Sequence, residues 1–129
     1  SSGWLYPLPY RVAVTSAYGY RVHPVTGAWS FHTGVDLGAA EGTPIYATRS
    51  GTVTTATYSD VYGNYVTINH GDGYSSLYGH MTHYVVSAGE YVSQGEVIGY
   101  VGSTGWSTGP HLHFTIYYNG STVNPMDYI

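Results

Sequence analysis

Short segments rich in valine, isoleucine, tyrosine and threonine recur along this chain, with glycine-centred turns between them. Branched and aromatic side chains favour strands because they suit a pleated, half-buried surface. Apolar residues show no sustained helical period, so the pattern predicts an all-β domain with long irregular loops. The candidate strands are Arg11–Thr15, Pro44–Ala47, Gly51–Tyr58, Tyr65–His70, Tyr74–His80, Tyr91–Ser93, Val97–Val101, His111–Tyr118 and Thr122–Val123.

The composition limits the classes of partner. With 129 residues the chain is long enough for one domain with its own core; we expect residues 1–10 to form a linker or edge segment and residues 11–129 a single domain. The net charge is −4 with three arginines, which excludes the basic face of a nucleic-acid binder. No run of about 18 apolar residues occurs, so no membrane insertion is expected. Any targeting signal is expected to lie outside this segment.

Histidine is the residue type that stands out chemically. The chain has seven histidines, seven acidic residues and no cysteine. The absence of cysteine excludes a disulfide framework, a thiolate zinc site and a cysteine nucleophile. Any chemistry would therefore depend on histidines and the few carboxylates, with or without a metal ion.

The segment His111-Leu112-His113 predicts two imidazoles on one face of a strand. Residues i and i+2 of a strand point to the same side, with backbones about 6–7 Å apart. Such a pair is able to address one metal ion or one substrate. Leu112, between them, is expected to point into the core.

The distance between His32 and Asp36, four residues apart, depends on the local backbone conformation. On a straight strand these residues would lie about 13 Å apart, too far to share one metal ion. Gly34 and Gly38 argue against a helix, in which the two would be neighbours. If both residues bind one ion, the chain must bend between them, and Thr33-Gly34 is the expected place.

Five residues are therefore candidates for a catalytic zinc site, which uses three protein ligands and one open position. They are His32, Asp36, His80, His111 and His113. The expected division is three ligands and two histidines that handle protons, and spacing alone does not decide which histidine of the His111/His113 pair is a ligand. The other three histidines, at positions 23, 70 and 83, are expected to be structural or solvated.

These motifs, in their order and spacing, resemble the M23 family of zinc metallopeptidases, the lysostaphin- and LytM-like wall endopeptidases. The resemblance rests on SAYGYRVHPVTGAWSFHTGVDLGAAEGTPIYATRSGTV, YGNYVTINHGDGYSSLYGHM, SAGEYVSQGEVIGYVGSTGWSTGPHLHF and VNPMDYI. It implies one zinc ion held by His32, Asp36 and His113, with His80 and His111 as the catalytic pair. It also implies antiparallel sheets, with the zinc at the floor of a loop-walled groove.

The resemblance further implies a bacterial peptidoglycan endopeptidase that is extracellular or associated with the cell wall. Its substrates would be stem peptides or cross-bridges, and the segment YGYRVHPVTG favours stem-peptide cross-links over glycine bridges. Tyrosine and tryptophan suit a groove for a flexible peptide. The groove candidates are Tyr18, Tyr20, Trp29, Asn64 and Trp106.

Other functions remain as alternatives at this point. Some relatives in such families lose activity and bind the wall or regulate another hydrolase, although all five site residues are present here. A non-haem iron site also uses two histidines and one carboxylate. A cupin is disfavoured because no carboxylate follows His113 closely, and a lipoyl or biotin carrier is excluded because the chain has no lysine to modify.

Overall fold

The structure, a computed structural model, describes residues 3–22, 27, 29–105 and 109–129, and the side chains of residues 21, 22, 29 and 30 are left out of the description. Within these ranges the chain forms strands and one short 3-10 helix, which confirms the all-β prediction. The strands are β1 (Val14–Ser16), β2 (Gly19–Val22), β3 (Trp29–His32), β4 (Val35–Gly38), β5 (Pro44–Tyr46), β6 (Gly51–Ser59), β7 (Gly63–Gly71), β8 (Tyr74–Tyr84), β9 (Tyr91–Val92), β10 (Val97–Val101), β11 (His111–Tyr118) and β12 (Ser121–Val123), and the helix is Pro125–Asp127.

All but two of the described strands belong to one large sheet. Its main path has the order β1-β4-β11-β8-β7-β6-β9, while β12 pairs with β11 and β10 pairs with both β8 and β5. Strands β2 and β3 form a separate two-stranded sheet. The pairings that concern the site, β4 with β11 and β11 with β8, are antiparallel, as the resemblance implied.

Alternation along the central strands separates the core from the polar face. On β11 the side chains of Leu112, Phe114 and Ile116 are completely buried in the core. The residues between them therefore project from the opposite face of the sheet. On β4 the same alternation buries Val35 and Leu37 and turns the residue between them, Asp36, to the polar face.

Residues 3–10, the described part of the segment expected to form a linker or an edge segment, lie against the domain in an irregular conformation. The side chains of Trp4 and Leu8 are buried in the main core. The amide of Leu5 donates to the carbonyl of Thr48 at 2.9 Å, and the amide of Tyr46 donates to the carbonyl of Pro7 at 2.7 Å. This segment contributes to the core and lies along β5.

The sequence pattern missed strands β2, β3 and β4. Residues 19–38 contain four glycines and one proline, residue types that favour turns, and the strands are only four residues long. Strand β1 begins three residues later than the predicted Arg11–Thr15, and β8 extends beyond His80 to Tyr84. Over the described residues, no helix has the length and apolar character that crossing a bilayer would require.

Candidate metal centre

The chain turns sharply between β3 and β4, at the place where a bend was expected. Strand β3 ends at His32 and β4 begins at Val35, so Thr33 and Gly34 form the bend. A side chain on Gly34 would collide with the carbonyl of Phe114 and with Oγ1 of Thr115. Glycine therefore lets the bend approach β11, and it brings His32 Nε2 to 3.4 Å from Asp36 Oδ1.

The third member of the cluster comes from the pairing of β4 with β11, whose register places His113 directly opposite Asp36. His113 Nδ1 lies 3.1 Å from Asp36 Oδ1 and 3.3 Å from His32 Nε2. The three atoms thus form a nearly equilateral triangle. Ligands at 2.0–2.2 Å from a tetrahedral zinc ion lie about 3.3–3.6 Å from one another, so this donor set fits a divalent metal such as zinc.

His32 is oriented by the backbone before β2. Its Nδ1 lies 3.1 Å from the carbonyl oxygen of Ala17. A carbonyl only accepts, so Nδ1 carries the hydrogen of the neutral ring and Nε2 presents its lone pair to the triangle. A neighbouring hydrogen-bond acceptor that fixes the tautomer in this way is typical of histidines that bind metal ions.

His80 lies beside the triangle at an irregularity in β8. Gly79, on one side of it, pairs with β11, whereas Met81, on the other side, pairs with β10. His80 itself has φ of +61°, a left-handed conformation that is rare for a residue with a side chain. Its amide donates to the carbonyl of Tyr62 at 2.6 Å. Irregularities of this kind redirect side chains near active sites.

His80 and His111 form a second pair of imidazoles, with ring centroids 4.7 Å apart. Nδ1 of His80 donates to the carbonyl of Thr104 at 2.7 Å, and Nδ1 of His111 donates to the carbonyl of Gly109 at 2.8 Å. In the neutral form of each ring, Nε2 then carries the lone pair. His111 Nε2 lies 3.6 Å from Asp36 Oδ1, so this pair adjoins the triangle.

Burial and hydrogen bonds set the charges of the cluster. Burial alone would raise the pKa of Asp36, but the adjoining imidazoles of His113 and His32 hold that pKa well below its usual range. Burial lowers the pKa of His113. Burial, only partly opposed by the Thr104 carbonyl, lowers the pKa of His80 to about 4. At neutral pH the cluster thus holds an ionised carboxylate and neutral rings at His80 and His113, the protonation states that metal ligands need.

The groove candidates lie in different places in the structure and make different contacts. The Tyr18 hydroxyl donates to the carbonyl of Thr122 at 3.1 Å, and Tyr20 is 79% exposed. Tyr20 pairs with Phe31, so its side chain lies on the face of the hairpin opposite to His32. The Asn64 amide donates to the carbonyls of Met81 and Thr82 and so braces the irregularity beside His80. The side chain of Trp29, and all of Trp106 and His23, lie outside the described residues.

The two other described histidines lie apart from the cluster. Nδ1 of His70 donates to the carbonyl of Ser50 at 3.0 Å, and its Nε2 lies 2.7 Å from the hydroxyl oxygen of the buried Ser76. Burial lowers the pKa of His70. The ring of His83 lies against that of Tyr100 with centroids 4.8 Å apart. The hydrogen bonds of His70 and the ring contact of His83 are consistent with structural roles for both residues.

Two neighbours of the cluster were missed from the sequence. Thr115 Oγ1 lies 3.0 Å from Nε2 of His113. The spacing could have indicated it, because Thr115 follows His113 by two residues and so shares its face of β11. The ring of Tyr62 lies against His113 with centroids 5.3 Å apart. No sequence signal pointed to Tyr62, because only the fold brings this turn to β11.

Comparison with known proteins agrees with this geometry. Residues 30–125 match the model of peptidase family M23. The DD-carboxypeptidase/endopeptidase Mpg of Neisseria meningitidis serogroup B is 46% identical over 93% of this chain and 27% of its own length. The peptidoglycan DD-endopeptidase ShyC of Vibrio cholerae is 43% identical over 92% of this chain and 28% of its own length. The chain therefore spans about a quarter of the length of these curated relatives.

A solved structure extends the comparison to the fold. The catalytic domain of the antimicrobial peptidase lysostaphin from Staphylococcus simulans superposes with a TM-score of 0.82 and 35% identity, over 91% of each chain. The family model covers most of the chain and includes all five clustered residues. The resemblance seen in the motifs is thus confirmed, and the chain belongs to peptidase family M23.

Proposed function

We propose that this chain is the catalytic domain of a zinc-dependent endopeptidase that hydrolyses peptide cross-links of bacterial peptidoglycan. The observation that carries the proposal is the buried triangle of His32 Nε2, Asp36 Oδ1 and His113 Nδ1, with edges of 3.1–3.4 Å. The His80/His111 pair beside it supplies groups for proton transfer. The name of the relative ShyC, a peptidoglycan DD-endopeptidase, supports the choice of substrate.

The donor set supports zinc as the metal. Two imidazoles and one carboxylate match the ligands of catalytic zinc in metallopeptidases. When bound, zinc lowers the pKa of a coordinated water toward about 7 and polarises a carbonyl group. His32 is held by the Ala17 carbonyl and His113 contacts Thr115, so both rings are oriented before a metal arrives. The same donor types also occur in non-haem iron sites, which elemental analysis distinguishes from zinc.

His80 and His111 are assigned to proton transfer. Both rings donate Nδ1–H to a backbone carbonyl, and Nε2 is therefore the atom that takes a proton from the attacking water. A protonated Nε2 then stabilises the developing oxyanion or gives the proton to the leaving amine. Histidine suits both steps because the neutral ring accepts a proton and the cation formed in this way donates it again. The order in which the two rings act is left open.

The names of the relatives and the sequence both support a choice of substrate class. We assign the activity to stem-peptide cross-links rather than to glycine bridges. The name of ShyC specifies a DD-endopeptidase, and glycine has no D form. The site of action would be the cell wall or another extracytoplasmic compartment, where peptidoglycan lies. Of the groove candidates, Tyr18 lies beside the hairpin that ends at His32 and is retained as a peptide contact.

The test is digestion of purified peptidoglycan followed by mass analysis of the products. We expect new amino termini within the stem cross-links, loss of cleavage with a chelator and recovery with zinc. His80→Asn is expected to lower the rate about 10²–10⁴-fold, the usual contribution of one acid–base group. His83→Asn removes an exposed histidine from the same strand and serves as the matched control with unchanged activity.

Three results would contradict parts of the proposal. Absence of cleavage by folded, zinc-loaded protein would indicate a domain that binds the wall or regulates another hydrolase. Full activity of His80→Asn would overturn the assignment of His80 to proton transfer. Retention of iron rather than zinc after purification without added metal would overturn the choice of metal.

A further inference from the structure

We propose that Thr115 is a positioning residue that selects which ring nitrogen of His113 faces the metal site. The inference rests on the proposed function, because it concerns a ligand of the same site. It extends that function by adding a residue that holds no metal and touches no substrate. Thr115 would act only through its hydroxyl on the His113 ring.

The geometry fixes the His113 ring at both of its nitrogens. On one side Nδ1 faces Asp36 Oδ1 at 3.1 Å and His32 Nε2 at 3.3 Å. On the other side Nε2 lies 3.0 Å from Thr115 Oγ1. Thr115 is completely buried and His113 is 5% exposed, so bulk water does not compete for this contact. Both side chains project from one face of β11.

His113 differs from the other three imidazoles of the cluster. His32, His80 and His111 each place Nδ1 against a backbone carbonyl and so present Nε2. Those carbonyls only accept, and each therefore fixes a single tautomer. His113 presents the opposite nitrogen, Nδ1, and its outer nitrogen meets a hydroxyl group instead.

A hydroxyl serves His113 in both of its neutral tautomers, because it both donates and accepts hydrogen bonds. Without a metal, Nδ1–H donates to Asp36 and the Thr115 hydroxyl donates to Nε2. With a metal, Nδ1 must present its lone pair, so the single ring hydrogen lies on Nε2 and donates to Thr115 Oγ1. The neutral ring keeps one hydrogen throughout, and its orientation does not change. A carbonyl or a carboxylate at this position would satisfy only the second arrangement.

Among the described residues, Thr115 Oγ1 is the one group within hydrogen-bond distance of His113 Nε2. The bend at Gly34 packs closely on this contact, since an added Cβ would collide with Thr115 Oγ1 and the Phe114 carbonyl, and such close packing disfavours a water in place of the hydroxyl. Valine has the shape and the strand preference of threonine but no hydroxyl. Thr115→Val would therefore leave a buried Nε2–H without an acceptor in the metal-bound tautomer.

The experiment measures zinc affinity by chelator competition, together with the ring-nitrogen NMR signals of His113. Loss of a group that orients a metal ligand costs about 10–100-fold in affinity, and we expect this loss for Thr115→Val. Thr115→Ser keeps the hydroxyl and is expected to bind within a few-fold of the wild type. Thr48→Val is the matched control, since it removes another completely buried threonine hydroxyl, 2.8 Å from the Tyr78 hydroxyl and outside the cluster.

The NMR measurement keeps the test decisive even if Thr115→Val fails to fold. In the wild-type protein with zinc, we expect the His113 hydrogen on Nε2 and the metal on Nδ1. A hydrogen on Nδ1 in that state would overturn the proposal, as would wild-type zinc affinity in folded Thr115→Val. Failure of the wild-type protein to bind zinc at all would instead contradict the proposed function, so the two failures are distinguishable.

Discussion

At the scale of single residues, the backbone at His80 carries strain that serves the site. A residue with a Cβ pays about 1–2 kcal/mol for a left-handed conformation, whereas glycine adopts it freely. His80 has φ of +61°, and its ring contacts His111 as a result. The strained backbone thus directs the imidazole toward the cluster rather than along the regular strand.

This strain predicts an unusual order of stabilities. Both His80→Gly and His80→Ala remove the imidazole, but only glycine relieves the backbone, so we expect His80→Gly to be more stable by about 1 kcal/mol. Urea unfolding of the metal-free variants measures the difference. The control pair is Thr82→Gly and Thr82→Ala, two residues further along the same strand, where glycine should be the less stable choice. Equal stability of the two His80 variants would contradict the account.

Burial of His80 also predicts how stability depends on pH. The pKa of His80 falls from 6.5 to about 4 on folding, so between these values the unfolded chain binds more protons than the folded protein. Stability must therefore decrease as the pH falls through this window. From pH 7.5 to 4.5 the contribution of His80 is about 2 kcal/mol.

Urea unfolding of metal-free wild type and His80→Asn at the two pH values tests this dependence. Asparagine is chosen because it tolerates the left-handed conformation and does not titrate. We expect the variant to lose about 2 kcal/mol less than the wild type between pH 7.5 and 4.5. Asp36 does not disturb the comparison, because its lowered pKa moves its own contribution to more acidic pH. If the free energy of unfolding depended on pH identically in the two proteins, burial would not lower the pKa of His80.

At the scale of the elements, the bend between β3 and β4 decides whether the cluster exists. Gly34→Ala adds a Cβ that would collide with backbone of β11 and with Thr115. We expect this variant to lose more than about 2 kcal/mol of stability, as overpacking at a rigid contact does, and to bind zinc more weakly. The collision at Gly38 is with the methyl group of the exposed Thr15, whose rotation away would break only a solvent-exposed hydrogen bond to the Asp36 carbonyl.

Gly38→Ala is therefore the matched control for Gly34→Ala, since both glycines lie at or beside β4. Its expected cost is below about 1 kcal/mol, with zinc affinity unchanged. Chemical denaturation and chelator competition measure both quantities. Tolerance of alanine at position 34 would mean that the approach of the bend to β11 is not required.

The same elements show what the sequence determines and what it does not. Strand β8 was identifiable because it is rich in tyrosine and follows a glycine-centred turn. Strand β11 was identifiable because its alternation of apolar and polar residues is regular. His111 and His113 on one face followed directly from it. The contact between His32 and Asp36 did not follow, because it depends on a bend stabilised by β11, about 80 residues away in the chain. The left-handed His80 and the role of Asn64 as a brace likewise depend on contacts between distant strands.

At the scale of the whole molecule, the three proposed ligands join two separate sheets. His32 ends β3 of the two-stranded sheet, while Asp36 and His113 belong to the large sheet. A metal ion bound to all three would therefore hold the hairpin of β2 and β3 against the large sheet. Ligands that bind only the folded state stabilise it by mass action.

This arrangement predicts a local as well as a global effect of zinc. At 1,000 times its dissociation constant, zinc should raise the free energy of unfolding by about 4 kcal/mol. Amide hydrogen exchange should slow most in β2 and β3, since these strands have few other contacts with the large sheet. Magnesium is the control, because it prefers oxygen ligands and should change neither quantity. If zinc slowed amide exchange equally in all strands, the proposal that the ion holds the hairpin of β2 and β3 against the large sheet would be contradicted.

The assignment of three zinc ligands and two proton-transfer groups is tested most directly by the zinc stoichiometry and affinity of five variants. Each variant loses one clustered side chain. We expect one zinc ion per chain in the wild type, and affinity reduced by several orders of magnitude in His32→Ala, Asp36→Ala and His113→Ala. His80→Asn and His111→Asn should keep one tightly bound zinc ion. Wild-type affinity in Asp36→Ala or His113→Ala, or loss of zinc from His80→Asn, would contradict the division of the cluster into three ligands and two proton-transfer groups.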